Sequence, residues 1–109
     1  MARIRSVHPD NWKEAATVAA DGKHLYVLQE EDDGPAKIGV ARNAFWRRFD
    51  LQVGNHRRLY LRAVYLCADK TTACSVESAV LREFAEHRIT GEWMAVNPAE
   101  IINYINEGL

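Results

Sequence analysis

The chain has 109 residues, 48% of them hydrophobic and 27% charged, with a net charge of −1. That suits one domain with a modest core, and no run approaches the ~20 consecutive apolar residues of a membrane span. Arg3 and Arg5 are not followed by an apolar signal region, so secretion is not indicated and a cytoplasmic location is expected.

In chain order, Met1–Ala16 leads into a helix that Asn11 can cap, with Glu14 as its capping-box partner, ending near Gly22. Residues 25–29 (LYVLQ) read as a strand. Glu30–Ala36 is a turn cluster around Gly34 and Pro35, and Lys37–Ala41 (KIGVA) is the second strand of a hairpin. Asn43 can cap a helix over AFWRRFDLQ that Gly54 ends. Residues 58–67 form the longest strand, with Leu59, Leu61, Ala63 and Tyr65 expected on one face. Thr71 or Thr72 can cap the next helix, which carries an apolar stripe of Val76, Ala79, Val80, Phe84 and Ala85. RITGEWMAV is a loop into a short strand. Asn97, Pro98 and Glu100 then start a last helix with Ile101, Ile102 and Ile105 buried. The predicted fold class is α/β in the broad sense (α+β). It consists of a small three-stranded, mainly antiparallel sheet flanked by helices, with residues 1–23 as an N-terminal helical extension and 24–109 as the functional domain.

Cys67 and Cys74 are only two, and are expected as reduced thiols; a zinc site would need more ligands at tighter spacing. The small net charge conceals an asymmetry. Between Lys37 and Arg62 there are seven basic residues (Lys37, Arg42, Arg47, Arg48, Arg57, Arg58, Arg62) and one acid, Asp50, whereas both flanks are acidic. A basic middle can serve phosphate, or it can be a solvated face balanced by acids from elsewhere in the fold. Trp93 is expected as a core anchor. Trp46 is also expected in the core, with base stacking as its alternative.

Several ordered features go together. Tyr26 ends His24-Leu25-Tyr26, and Lys37-Ile38-Gly39 follows across a turn. Arg47 stands eight residues after that glycine, and Leu51-Gln52-Val53-Gly54-Asn55 comes next. Glu77 lies on a long helix seven residues before Phe84, and Gly91-Glu92-Trp93 closes the series. Over residues 24–96 this resembles the GIY-YIG nuclease superfamily, in its short phage-type branch with KIG as second motif. Arg3–Trp12 resembles the opening of some phage replication-type proteins, so a phage or prophage origin is expected.

The resemblance implies an endonuclease that hydrolyses DNA with one divalent ion, Mg²⁺ or Mn²⁺. Glu77 would hold the metal, Arg47 would hold a non-bridging phosphate oxygen, and Tyr26 would orient or deprotonate the attacking water. A free tyrosine has a pKa of ~10, so a neighbouring cation would have to favour its phenolate, and Lys37 is the expected source. Arg42, Arg48, His56, Arg57, Arg58 and Arg62 are expected to contact nucleic acid. Departures from the family pattern are His24-Leu25 for its Gly-Ile, Lys37 for its second tyrosine, Leu81 where the branch often has histidine, and only Asn97 as a candidate for its closing asparagine; His87 lies further along. These departures raise an alternative, a weakly active or inactive module that binds nucleic acid or blocks a host defence protein.

Overall fold

The β-hairpin at residues 24–41 buries both of its faces, and the rest of the chain is arranged around it. The computed structural model describes residues 4–12 and 23–108. In order these are strands β1 (Ile4–Val7), β2 (His24–Glu30) and β3 (Ala36–Ala41), helix α1 (Ala44–Gln52), strand β4 (Leu59–Cys67), helix α2 (Lys70–Glu83), strands β5 (Arg88–Thr90) and β6 (Trp93–Met94), and helix α3 (Pro98–Gly108). Short 3-10 turns stand at Pro9–Asn11 and Ala85–His87.

All the strands join one sheet in the order β1-β4-β2-β3-β6-β5, with every pairing antiparallel. The α+β class stands, but the three-stranded sheet expected from sequence is corrected to six strands. The added strands are very short: β1 has four residues, β5 three and β6 two. Alternation over so few residues carries no signal. Such strands persist because a neighbour supplies the ladder: Ile4 opposes Cys67, and Ala36 and Lys37 oppose Met94 and Trp93. Part of the segment read as a helical extension is therefore an edge strand. The helix expected to run on to Gly22 lies largely outside the described residues. Asn11 sits within a 3-10 turn whose cap is His8.

Period-two alternation sends side chains to two cores. Leu25, Val27, Ile38, Ala63 and Tyr65 pack with Ala73, Val76 and Val80 of α2 and Ile101 and Ile105 of α3. Tyr26, Leu28 and Val64 pack with Val7 and with Ala44 of α1. Tyr65 Oη hydrogen-bonds Asn106 Oδ1 at 3.2 Å, and burial pushes this phenol up to about 12. The expected single face of Leu59, Leu61, Ala63 and Tyr65 is broken. The β2 register jumps from Val27–Ala63 to Leu28–Leu61, leaving Arg62 as an extra residue, so Leu61 packs on the α1 face while Ala63 packs on the other. A one-residue bulge exchanges the faces beyond it.

The caps place the helices. Asn43 Oδ1 accepts from Phe45 N at 2.9 Å and Trp46 N at 3.1 Å, as expected, and Ala44 N donates to the buried His24 Nδ1 at 3.0 Å. Gly54, at φ +82°, follows the end of α1 in the left-handed region that favours glycine. The cap of α2 is Asp69, which accepts from Thr72 N at 2.7 Å, and not either threonine. Asn97 Oδ1 accepts from Ala99 N at 2.9 Å and caps α3.

Candidate functional site

Tyr26 stands directly opposite Gly39 in the β2–β3 ladder and is 2% exposed. Its ring lies against the Gly39 backbone, where a Cβ would come within 2.4 Å of the phenolic oxygen. The glycine of the Lys37-Ile38-Gly39 segment is thus the seat of the tyrosine ring. Arg47 projects from α1 and interacts with the phenol through a hydrogen bond and its charge. Burial is the larger influence and raises the Tyr26 pKa above its ordinary value despite the guanidinium, with the Glu92 and Glu77 carboxylates adding to the rise.

Those carboxylates form the second half of the site. Glu77, half-buried on α2, shares a hydrogen bond with Glu92 from the turn between β5 and β6. Burial, then the hydrogen bond and charge of Glu92, raise the Glu77 pKa to about 7, and Lys37 acts in the opposite sense. Lys37 Nζ lies 3.5 Å from Glu92 Oε1 and 5.9 Å from the centre of the Trp93 ring. A lysine only 8% exposed needs such a partner, because an unpaired buried charge is costly. Tyr26, Lys37, Arg47 and Glu77, read from sequence as one group, are joined here by Glu92 in one electrostatic network.

Glu92 is the residue that sequence reading missed as a site member, although Gly91-Glu92-Trp93 was singled out as a motif. Its signal was the spacing that lets β6 pair Trp93 with Lys37, which brings the preceding carboxylate to the lysine amine. The structure directs the Lys37 charge toward the carboxylates. Its amine acts on Glu92 and Glu77, and the cation acting on Tyr26 is Arg47. Because the Tyr26 pKa is raised, the phenol is held in its neutral form. Leu81 packs against the core of α2 and α3, and His87 is exposed in a 3-10 turn. Asn97 is occupied as the α3 cap, which withdraws it as a closing asparagine.

The expected nucleic-acid contacts divide. Arg57 pairs with Glu30 at 3.4 Å, and Arg62 pairs with Asp32 at 3.3 Å while also donating to Gln29 Oε1. For these two, the positive charge is balanced by acids brought in by the fold. Arg48 donates to the Leu59 carbonyl at 3.5 Å and ties α1 to β4, so of two adjacent arginines one serves the site and the other the scaffold. Arg42, His56 and Arg58 are exposed. The Gln52 side chain bonds the backbone at Asn55, Arg57 and Leu59, folding the loop that carries His56 and Arg58 back onto the end of α1. Trp46, expected in the core, is 67% exposed, and its ring meets Phe49 edge-on at 6.1 Å. Trp93 is half-buried beside Lys37.

Both cysteines are free, and burial pushes the Cys67 thiol up to about 11, which leaves it unreactive. Among the described residues no group of three or more His, Cys, Asp or Glu gathers as a metal cage, and no helix is long and apolar enough to cross a membrane. Two clefts, of about 580 and 510 Å³, open elsewhere: one beside the β2–β3 turn and the start of α3, the other along α2. Neither includes the five networked residues. The network outweighs cavity size as a guide here, because buried, mutually perturbed charges are costly to keep without a task.

The T5orf172 domain profile matches residues 23–108. This overturns the assignment to the GIY-YIG superfamily, from which T5orf172 is a distinct family, although it is associated with homing-endonuclease-like folds. The motif order that suggested GIY-YIG is carried by a hairpin, a helix arginine and a helix glutamate, and elements of that kind do not separate one family from another. No curated protein and no solved structure gives a significant match.

Proposed function

We propose, since the chain belongs to the T5orf172-domain family, a phage-associated and often nuclease-like domain, that it hydrolyses phosphodiester bonds of nucleic acid, DNA foremost. One divalent cation, Mg²⁺ or Mn²⁺, would assist. The observation that carries this reading is the Glu77–Glu92 pair beside Lys37 and within electrostatic reach of Tyr26, on which Arg47 also acts.

The fit to a cation rests on that pair. Two neighbouring carboxyls, with the Glu77 pKa raised by burial and by Glu92, offer hard oxygen donors to a cation that displaces the Glu77 proton. Glu77 and Glu92 would hold the ion, with water filling its remaining positions, and when bound it would supply positive charge toward the leaving oxygen.

The chain's own groups have separable tasks. Arg47 is exposed, so its guanidinium can donate to a non-bridging phosphate oxygen as negative charge builds there. Tyr26, neutral and seated against Gly39, can orient the attacking water through its hydroxyl, and no phenolate is required. Lys37 holds Glu92 in place and offsets the charge of the carboxylates.

The test is nicking of supercoiled plasmid with Mg²⁺ or Mn²⁺, with EDTA as control. Glu77→Gln and Glu92→Gln should each abolish metal-dependent cleavage and leave the protein folded. Absence of cleavage of DNA and RNA by the wild type would sink the nuclease reading. A specific observation favours a second reading in that case: Arg42, Arg47 and Arg58 stand exposed on and beside α1 and its following loop. The chain would then be a binding module for nucleic acid or for a host protein.

A further inference from the structure

Among the described residues, four large hydrophobic side chains are conspicuously exposed, and three of them lie together on and just after α1: Trp46 (67%), Phe49 (53%) and Val53 (68%). At 100° per residue, positions i, i+3 and i+7 fall along one side of a helix. Singly exposed apolar residues need no explanation, but a continuous stripe that includes an open tryptophan does. The opposite side of α1 is already used, since Ala44, Phe45 and Leu51 pack onto the sheet.

The surroundings of this stripe are cationic. Arg42 precedes the helix, Arg47 follows Trp46 directly, and the Gln52 side chain folds the loop that bears Arg58 back beside its C-terminal end. Asp50 is the one acid on the helix. Trp46 and Phe49 meet at 79° with their ring centres 6.1 Å apart, and both rings remain largely exposed. An aromatic platform within a basic rim accepts a π-face attached to a phosphate chain.

We infer that Trp46 and Phe49 form a base-stacking platform that makes unpaired, single-stranded nucleic acid the favoured ligand of the α1 face. The inference rests on the nucleic-acid reading above and deepens it by naming the substrate class. A duplex offers phosphates to the arginines but keeps its bases stacked on one another, out of reach of Trp46. An unpaired strand offers both. Arg47 follows Trp46 on the exposed part of α1, so a strand stacked at Trp46 would have a guanidinium of the same helix available for its phosphates.

The experiment measures binding of the full chain to a fluorescein-labelled oligothymidylate, and to a mixed-sequence oligonucleotide both single-stranded and as its duplex. It is run in EDTA so that turnover plays no part. The wild type should bind single strands more tightly than duplex, with quenching of tryptophan emission. Trp46→Ala should weaken single-strand binding by between about fivefold and about 100-fold, the usual scale for one stacked base, and should remove the quenching while duplex binding changes little. Trp46→Phe should restore most of the affinity. Trp46→Leu, which keeps apolar area without a π-face, should not. Phe49→Ala should act in the same direction more weakly, and circular dichroism should confirm that the variants stay folded.

Equal losses for both strand forms, no loss, or rescue by leucine would overturn the platform. So would a wild type that sediments as a dimer and a Trp46→Ala variant that is monomeric with unchanged binding, which would make this face a contact between copies. Binding to duplex alone would refute the platform and leave the nucleic-acid reading intact. Binding to neither would remove both.

Discussion

The phenol of Tyr26 rests on the backbone of Gly39, its partner across the β2–β3 ladder, with no room for a methyl group between them. The ring is rigid and almost wholly buried, so it cannot swing aside as the tip of a long side chain would.

Gly39→Ala should therefore displace the tyrosine. We expect a loss of about 1–3 kcal/mol of stability, the usual cost of overpacking, with a fall in nicking at least as large as that of Tyr26→Phe, which removes only the hydroxyl. Urea unfolding and plasmid nicking measure the two. Unchanged activity in Gly39→Ala would show that the position of the ring does not matter to the reaction.

The carboxyl pair predicts an unusual pH dependence. Glu77 holds its proton to about pH 7 in the folded chain, against an ordinary value of 4.5. The folded state therefore binds more protons than the unfolded state in that window, so this group's contribution to stability is fully present below the lower value and is lost as pH rises through the upper one. In EDTA, Glu77→Gln should flatten this dependence, and its stability relative to wild type should be greater at about pH 8 than at about pH 5. Mn²⁺ or Mg²⁺ should raise the wild-type Tm at the higher pH and leave Glu77→Gln unmoved. A pH profile identical in the two proteins would mean that Glu77 titrates as an ordinary surface carboxylate.

Lys37→Met tests the same network from its cationic side. Lys37 counters the rise in the Glu77 pKa and pairs with Glu92. Without it, the Glu77 titration followed by carboxyl NMR should move further up, and cation binding should persist, because Lys37 repels the ion it helps to position. A downward movement would contradict the geometry.

Arg47→Ala should cost roughly 10²–10³ in cleavage rate, the scale for removing one transition-state donor. Arg47→Lys should recover only part of that, since an ammonium lacks the planar fork. Arg48→Ala is the matched control: its guanidinium bonds a backbone carbonyl, so stability should fall more than rate. Equal rate effects at the two positions would assign both to general charge.

His24 links the hairpin to the arginine helix. Its Nδ1 accepts from Ala44 N in a buried setting. His24→Leu leaves that donor without this acceptor and should cost about 1–3 kcal/mol. Chemical denaturation measures the loss, and a value near zero would mean that the start of α1 is held by Asn43 alone.

Much of this arrangement was legible locally. The hairpin, the Asn43 and Asn97 caps and the Gly54 stop follow from turn chemistry and side-chain period, which act over a few residues, whereas the candidates Tyr26, Lys37, Arg47 and Glu77 come only with the resemblance to GIY-YIG nucleases. The family did not follow from them: the motif order suggested GIY-YIG, and the chain belongs to the T5orf172-domain family.

Tertiary structure decided the rest. The strands β1, β5 and β6 exist through pairing with partners distant in sequence, Arg62 bulges because two strands must keep register, and Trp46 is exposed because the sheet is covered by the other side of its helix. Burial and proximity alone make Glu92 a partner of Glu77 and raise the Glu77 pKa to about 7. Local order in the chain specifies which side chains are available. Which of them share a low-dielectric space depends on non-local packing, and the pKa of Glu77, like the neutrality of Tyr26, is a property of that space.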